Sequence, residues 1–216
     1  MGSTCHPPTS KTTETPTTRG SSVTALDDLQ ALLPPPARLR RTFDWTDTEH
    51  RLAVPALPDE FKHLLTAYGD VRFCQQLRLL HPYLDLAEVT LASRENLASD
   101  EFGETPTDVP DGVSVDPATL IQWGVSQGGD YCLWDAHDPD PDRWTLVFTD
   151  IDKLDWGYYD GTVTSFLLDW MLARTTPHPV WDLATTHMGP ITPFCDFFDP
   201  DEPSGRTILD HVDATR

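Results

Sequence analysis

The chain has 216 residues, with 35 Asp and Glu against 15 Lys and Arg, a formal net charge of −20 and a pI near 4.4. That balance repels phosphate backbones and anionic bilayers alike, which sets aside nucleic-acid and membrane-surface binding and makes a basic protein the natural electrostatic complement. The length allows one domain with a sizeable core, while a hydrophobic content of 38% predicts that part of the chain lies outside it.

Residues 1–23 are rich in Thr, Ser and Pro with almost no large apolar side chains. They bury too little surface to offset the entropy of ordering, and a disordered tail is predicted. From Thr24 the pattern becomes helical: Thr24 stands where a cap belongs, Asp27 and Asp28 fall in the first turn, and Leu26, Leu29, Leu32 and Leu33 share a face. Pro34-Pro35-Pro36 ends it. Arg38, Arg40 and Arg41 follow in a solvated loop, and Phe43 to Leu52 is a short amphipathic segment of undecided type.

The clearest helix runs from Leu57 to Gly69. Pro58 sits at the first helical position, Asp59 and Glu60 where the helix dipole favours anions, and Gly69 at the stop. Phe61, Leu64, Leu65 and Tyr68 form its apolar stripe. Val71 to Leu80 reads equally as strand or helix, and Leu84 to Leu97 as helical in its second half. The acidic, Pro-punctuated stretch from Glu101 to Asp116 reads as a long exposed loop.

Two apolar runs, Leu120 to Val125 and Tyr131 to Trp134, flank a Gly-Gly-Asp joint too short for a helix, which predicts a β-hairpin. Trp144 to Phe148 alternates and supplies a third antiparallel strand, with Trp144, Leu146 and Phe148 on one face, expected to be the core face. A helix follows the Asp160-Gly161 turn, capped by Thr162 or Thr164, with Val163, Phe166, Leu167, Trp170 and Met171 as its core stripe. Residues 177–216 are irregular and Pro-punctuated; their aromatics predict that they lie against the domain, with a loose end from Asp199.

Several motifs invite chemistry. Gly124-Val125-Ser126-Gln127-Gly128 matches G-x-S-x-G, but a nucleophile elbow needs a helix after the serine, and a strand is predicted there instead. Ser126 is therefore read as a turn residue, with a serine hydrolase kept as the remote alternative. Asp138-Pro139-Asp140-Pro141-Asp142 alternates like a calcium loop, yet Arg143 and Thr149 occupy the positions that require Gly and Glu. Asp150-Ile151-Asp152 matches D-x-D with no nucleotide site near it. Cys5, Cys74, Cys132 and Cys195 are far apart, which fits free thiols in a reducing compartment, and the eight histidines form no ligand set. No metal and no cofactor is expected. The first residues carry no secretory h-region and no run reaches the length of a membrane span, so the expected location is cytoplasmic.

The order of these elements resembles the SUKH superfamily, the Smi/Knr-like proteins. The resemblance rests on the Trp45 to Leu52 segment, Leu57-Pro58-Asp59-Glu60-Phe61-Lys62 leading to Leu64-Leu65 and Tyr68-Gly69, Trp123-Gly124 with Gly129-Asp130 and Trp134, and the helix around Phe166-Leu167. It covers roughly residues 42–173. It implies an α+β fold over residues 24–176, with helices packed on one face of a mostly antiparallel sheet, and a non-enzymatic role. Bacterial members are mostly immunity proteins of polymorphic toxin systems; fungal relatives regulate cell-wall assembly.

Acidic residues concentrate between Glu95 and Asp160, where Trp123, Trp134, Trp144, Trp156, Tyr158 and Tyr159 are interleaved. Aromatic anchors among charges suit a protein-binding hot spot. The expectation is one sheet edge that binds a cationic toxin domain through Trp123, Asp130, Trp134, Asp138, Asp140, Asp142, Asp152, Asp155, Trp156 and Tyr158. The alternative is an adaptor that recognises a host protein with no toxin involved.

Overall fold

The computed structural model describes residues 22–35, 41–99, 106, 108–176, 195–197 and 207–208. The predicted disordered tail falls outside these, except for Ser22 and Val23, which open the first helix. Helices α1 (Ser22–Leu32), α2 (Thr46–Leu52) and α3 (Asp59–Tyr68) lead into a hairpin of β1 (Val71–Phe73) and β2 (Leu77–Leu79). Helix α4 (Leu86–Ala98) follows, then a meander of β3 (Leu120–Ser126), β4 (Tyr131–Asp135), β5 (Thr145–Thr149) and β6 (Trp156–Tyr159). Helix α5 (Val163–Met171) and two short strands, β7 (Cys195–Phe197) and β8 (Thr207–Ile208), complete it. The fold is α+β: the strands form one sheet in the order β6-β5-β4-β3-β2-β1-β7-β8, antiparallel throughout.

The hairpin resolves the segment that periodicity left open. Cys74 and Gln75 both lie in the left-handed region (φ 51° and 57°), and Gln76 N–H donates to Phe73 O at 2.9 Å. Two left-handed central residues match the twist of the flanking strands, but the usual Asn-Gly signature is absent, so the turn is silent in the sequence. Of the predicted irregular extension 177–216, only 195–197 and 207–208 are described, and these are strands; the rest of that expectation lies outside the described residues. Strand β7 pairs with β1 (Val71 with Phe197, Phe73 with Cys195) and covers an edge whose backbone would otherwise lack partners.

The apolar stripes of α3 and α5 are buried, and the larger core joins residues of α1, α2, α3 and α5 to one sheet face. Aromatic rings cross it in contact: Phe61 meets Trp134 edge-on at 4.8 Å, Trp123 meets Phe148 at 5.8 Å, and Phe148 lies 4.6 Å from Phe166. Glu60 closes the joint between α3 and α5. Its carboxylate accepts from Val163 N (2.8 Å), Thr164 N (3.3 Å) and the Thr164 hydroxyl, satisfying orphan donors at the start of α5. Burial pushes the pKa of Glu60 up, against the pull of those hydrogen bonds. Thr162 completes the cap through a reciprocal pair with Ser165. Gly161 is obligatory there, since a Cβ would overlap the Tyr159 ring and the Ser165 hydroxyl.

Leu120, Leu133 and Val147 form a smaller core on the opposite face, covered by Leu97, Val113, Val115, Tyr131, Trp156 and Tyr158. The described part of the acidic insert is a loop, exposed at Asp108, Pro110, Asp111, Gly112 and Asp116, but its half-buried Val113 and Val115 lie against this core. Strand β2 meets β3 only at Gly124–Ser126, which leaves the Leu120–Gln122 edge of β3 without a strand neighbour among the described residues. Helix α4 plugs that gap: Arg94 Nε donates to Leu120 O (2.8 Å), Thr90 Oγ1 accepts from Gln122 N (3.1 Å), and Ser93 bonds the Gln122 side chain.

Candidate functional site

The turn between β5 and β6 is a rigid projection with an apolar tip. Asp150 Oδ1 accepts from Leu154 N (2.7 Å) and Asp155 N (3.0 Å), and Asp150 O accepts from Lys153 N (3.0 Å). Lys153, at φ 59° and only 7% exposed, turns inward, and its Nζ donates to Asn96 O and Ser99 O, both at 3.0 Å. A cation thereby sits at the C-terminus of α4, where the helix dipole and the orphan carbonyls favour it. With Lys153 drawn in, the two aliphatic residues of the turn point out: Ile151 is 56% exposed and Leu154 71%. Asp152 and Asp155, both exposed, flank them.

Next along the chain, Trp156 and Tyr158 are half-buried on the smaller core, and the Trp156 indole N–H donates to Lys153 O (3.2 Å). The Tyr158 hydroxyl is buried without a hydrogen-bond partner among the described residues; burial raises its pKa, and the charge of Asp108 adds to the shift. Asp152, Asp155, Trp156 and Tyr158 therefore do come together, at the last strand of the sheet.

The other predicted contact residues do not join them. Trp123 (0% exposed) and Trp134 (1%) are core residues and cannot anchor a partner. Strands β3 and β4 are buried on both faces, so neither side of the alternation is solvent, and Trp123 shares with Ile121 the face over the larger core. Its indole N–H is spent on Leu133 O at 2.9 Å. Trp144 is core, as its strand face predicted.

Asp130 is also buried, at 6% exposure. It accepts from the Ser126 hydroxyl at 2.6 Å, while Ser126 Oγ accepts from Gly128 N (3.1 Å) and Asp130 N (3.0 Å). All hydrogen-bonding capacity of the serine goes into the turn, and a strand follows, as the turn reading required. Asp138, Asp140 and Asp142 lie at the far end of β4 and β5, because the β4–β5 and β5–β6 connections leave opposite ends of the ladder. A five-residue strand separates those ends by roughly 15 Å, nearly twice the ~8 Å screening length of physiological salt. The predicted single acidic margin is thus two separate patches. At the far one, Asp138 and Asp140 accept from backbone N–H groups of the loop itself (2.9 and 3.1 Å), and Arg143 approaches Asp138 at 3.4 Å.

Two further clusters bear titratable groups. Buried Asp135 accepts from Ser114 N and His137 Nδ1, both at 2.6 Å, tying the covering segment to β4. Asp70 takes Arg78 in a two-pronged pair (2.7 and 3.1 Å) with the buried His81 imidazole 3.7 Å away. Burial opposes ionisation of Asp70, but His81 and Arg78 more than offset it and hold its pKa below the ordinary value. Neither cluster has a nucleophile hydrogen-bonded to its imidazole among the described residues, and among them no group of three His, Cys, Asp or Glu could hold a metal ion.

Ile151, Leu154 and Lys153 escaped the sequence reading. The available signal was two aliphatic residues inside an otherwise polar inter-strand turn; that Lys153 would face inward had no sequence mark. No helix of the described residues is long and apolar enough to cross a membrane. No family model, no curated protein and no solved structure matches the chain.

Proposed function

We propose that this chain is a non-enzymatic, cytoplasmic protein-binding module that neutralises a cationic toxin domain, in the manner of the SUKH immunity proteins its motifs resemble. The observation that carries the reading is the pre-formed β5–β6 turn, with Ile151 and Leu154 exposed beside Asp152 and Asp155. Burying what remains exposed of each aliphatic side chain gains roughly 1–2 kcal/mol. A turn already fixed by Asp150 and Lys153 spends little ordering entropy to deliver it. The carboxylates and the overall charge of −20 steer a basic surface toward this tip and repel acidic ones. Toxin domains that act on polyanions, such as nucleases and deaminases, carry that kind of basic surface.

The test is growth of cells that produce the toxin domain encoded beside this gene. Wild-type chain restores growth, and an Ile151→Asp, Leu154→Asp double variant, whose changes lie on exposed side chains and leave the core intact, does not. Equal killing with and without the wild-type chain refutes the reading.

A further inference from the structure

The backbone beside this tip carries a second kind of recognition. Asp150 N–H donates to Asp155 O at 3.3 Å, so these two residues form a hydrogen-bonded pair. Pairs alternate along an antiparallel ladder. Thr149 and Trp156 are then a non-bonded pair, Phe148 and Gly157 bonded, Val147 and Tyr158 non-bonded, Leu146 and Tyr159 bonded. It follows that the N–H and C=O groups of Trp156 and Tyr158 point away from β5. β6 ends the sheet, and among the described residues nothing hydrogen-bonds those outward groups.

Exposed edges are ordinarily blunted by Pro, Lys or a covering segment. The Trp-Gly-Tyr-Tyr strand has neither Pro nor Lys, and it is rich in residues that favour pairing. Carboxylates bracket it instead, from exposed Asp155 before it and exposed Asp160 after it. Two open donors, two open acceptors and a negative charge at either end specify an extended segment with basic residues near its ends. We propose that the partner adds a basic strand along β6, extending the sheet, with Ile151 and Leu154 gripping it at one end. This deepens the toxin-neutralising reading and rests on it. A second copy of this chain is a poor occupant, because two-fold antiparallel pairing through Trp156 and Tyr158 would bring the acidic Asp155 end of one copy alongside the acidic Asp160 end of the other.

The probe is a capped heptapeptide of alternating Lys and Val, with a Glu and Val counterpart as charge control, titrated into the full chain and followed by amide exchange. The Lys peptide is expected to bind, to slow exchange of the Trp156 and Tyr158 amides by about tenfold or more, and to bind better than the Glu peptide. Tyr158→Pro removes one outward donor without touching a bond to β5, whereas Tyr158→Ala removes the same ring and keeps the donor. Binding lost in the first and kept in the second supports the inference. Binding with unchanged exchange at both amides, equal binding by the two variants, or a dimer joined through β6 overturns it, and the exchange result decides even if Tyr158→Pro fails to fold. Failure of both peptides to bind overturns the strand-addition mode alone, since the growth assay judges the neutralising role separately.

Discussion

Lys153→Met tests the link on which the presented tip depends. Methionine keeps the aliphatic stem and removes the ammonium, so packing changes little while the carbonyls of Asn96 and Ser99 lose their donor. Hydrogen bonds to a charged group are worth about 1.5–3 kcal/mol, and a cation at a helix C-terminus adds up to about 1 kcal/mol. Asn96 and Ser99 are themselves exposed, so water replaces part of what is lost, and about 2 kcal/mol is the expected net cost. For a chain of 216 residues that lowers Tm by about 4–8 °C, read by circular dichroism. Ser99→Ala removes the 3.4 Å contact of Lys153 to its hydroxyl and that hydroxyl's 2.8 Å bond to Asn96 O, both at an exposed position, and is expected to shift Tm by about 2 °C or less. The variant should also speed exchange of the Leu154 and Asp155 amides, which Asp150 holds only while the turn is closed. A Lys153→Met protein that melts with the wild type and keeps those amides protected would refute the anchoring role.

Two other perturbations address the joints of the fold. Because burial raises the pKa of Glu60, its contribution to stability is complete below the ordinary value of 4.5 and is lost as pH rises through the folded value. Glu60→Gln cannot titrate, so the urea midpoint of the wild type should fall relative to the variant as pH climbs above 4.5; a constant or rising difference contradicts the buried carboxylate at α5. Ser126→Ala strips the β3–β4 turn of one donor and one doubly used acceptor, an expected cost of about 1–3 kcal/mol in chemical denaturation. An unchanged denaturation midpoint combined with loss of an esterase activity would return Ser126 to the hydrolase reading.

Helices were legible where one face meets the core and the other meets water. The stripes Phe61, Leu64, Leu65, Tyr68 and Val163, Phe166, Leu167, Trp170, Met171 are buried as their spacing requires. The ends were less exact: α3 begins at Asp59, with Pro58 in the capping place, one residue later than expected. Three strands of the meander were legible through Gly129 and the alternation of β5, whereas β6 was not. The β1–β2 hairpin, the full extent of α4 and the strands at the C-terminal end were not. Two-residue and three-residue strands leave no period to read, and left-handed Cys74 and Gln75 carry no turn signature.

The site divided along the same line. Local chemistry in the sequence marked the charge excess, the turn character of Ser126 and the aromatic content of the sheet, because each follows from a residue and its neighbours in the chain. Which tryptophans are buried was decided by what packs on each sheet face: the larger core takes Trp123, Trp134 and Trp144, while Val113 and Val115, some twenty residues away from Leu133 in the chain, share the other face with half-buried Trp156. Which aspartates act together was decided by strand direction, since consecutive turns of a meander leave opposite ends of the ladder and only alternate ones become neighbours. Side-chain order along the chain fixes neither, because burial and electrostatic proximity are properties of distances that pairing and packing create.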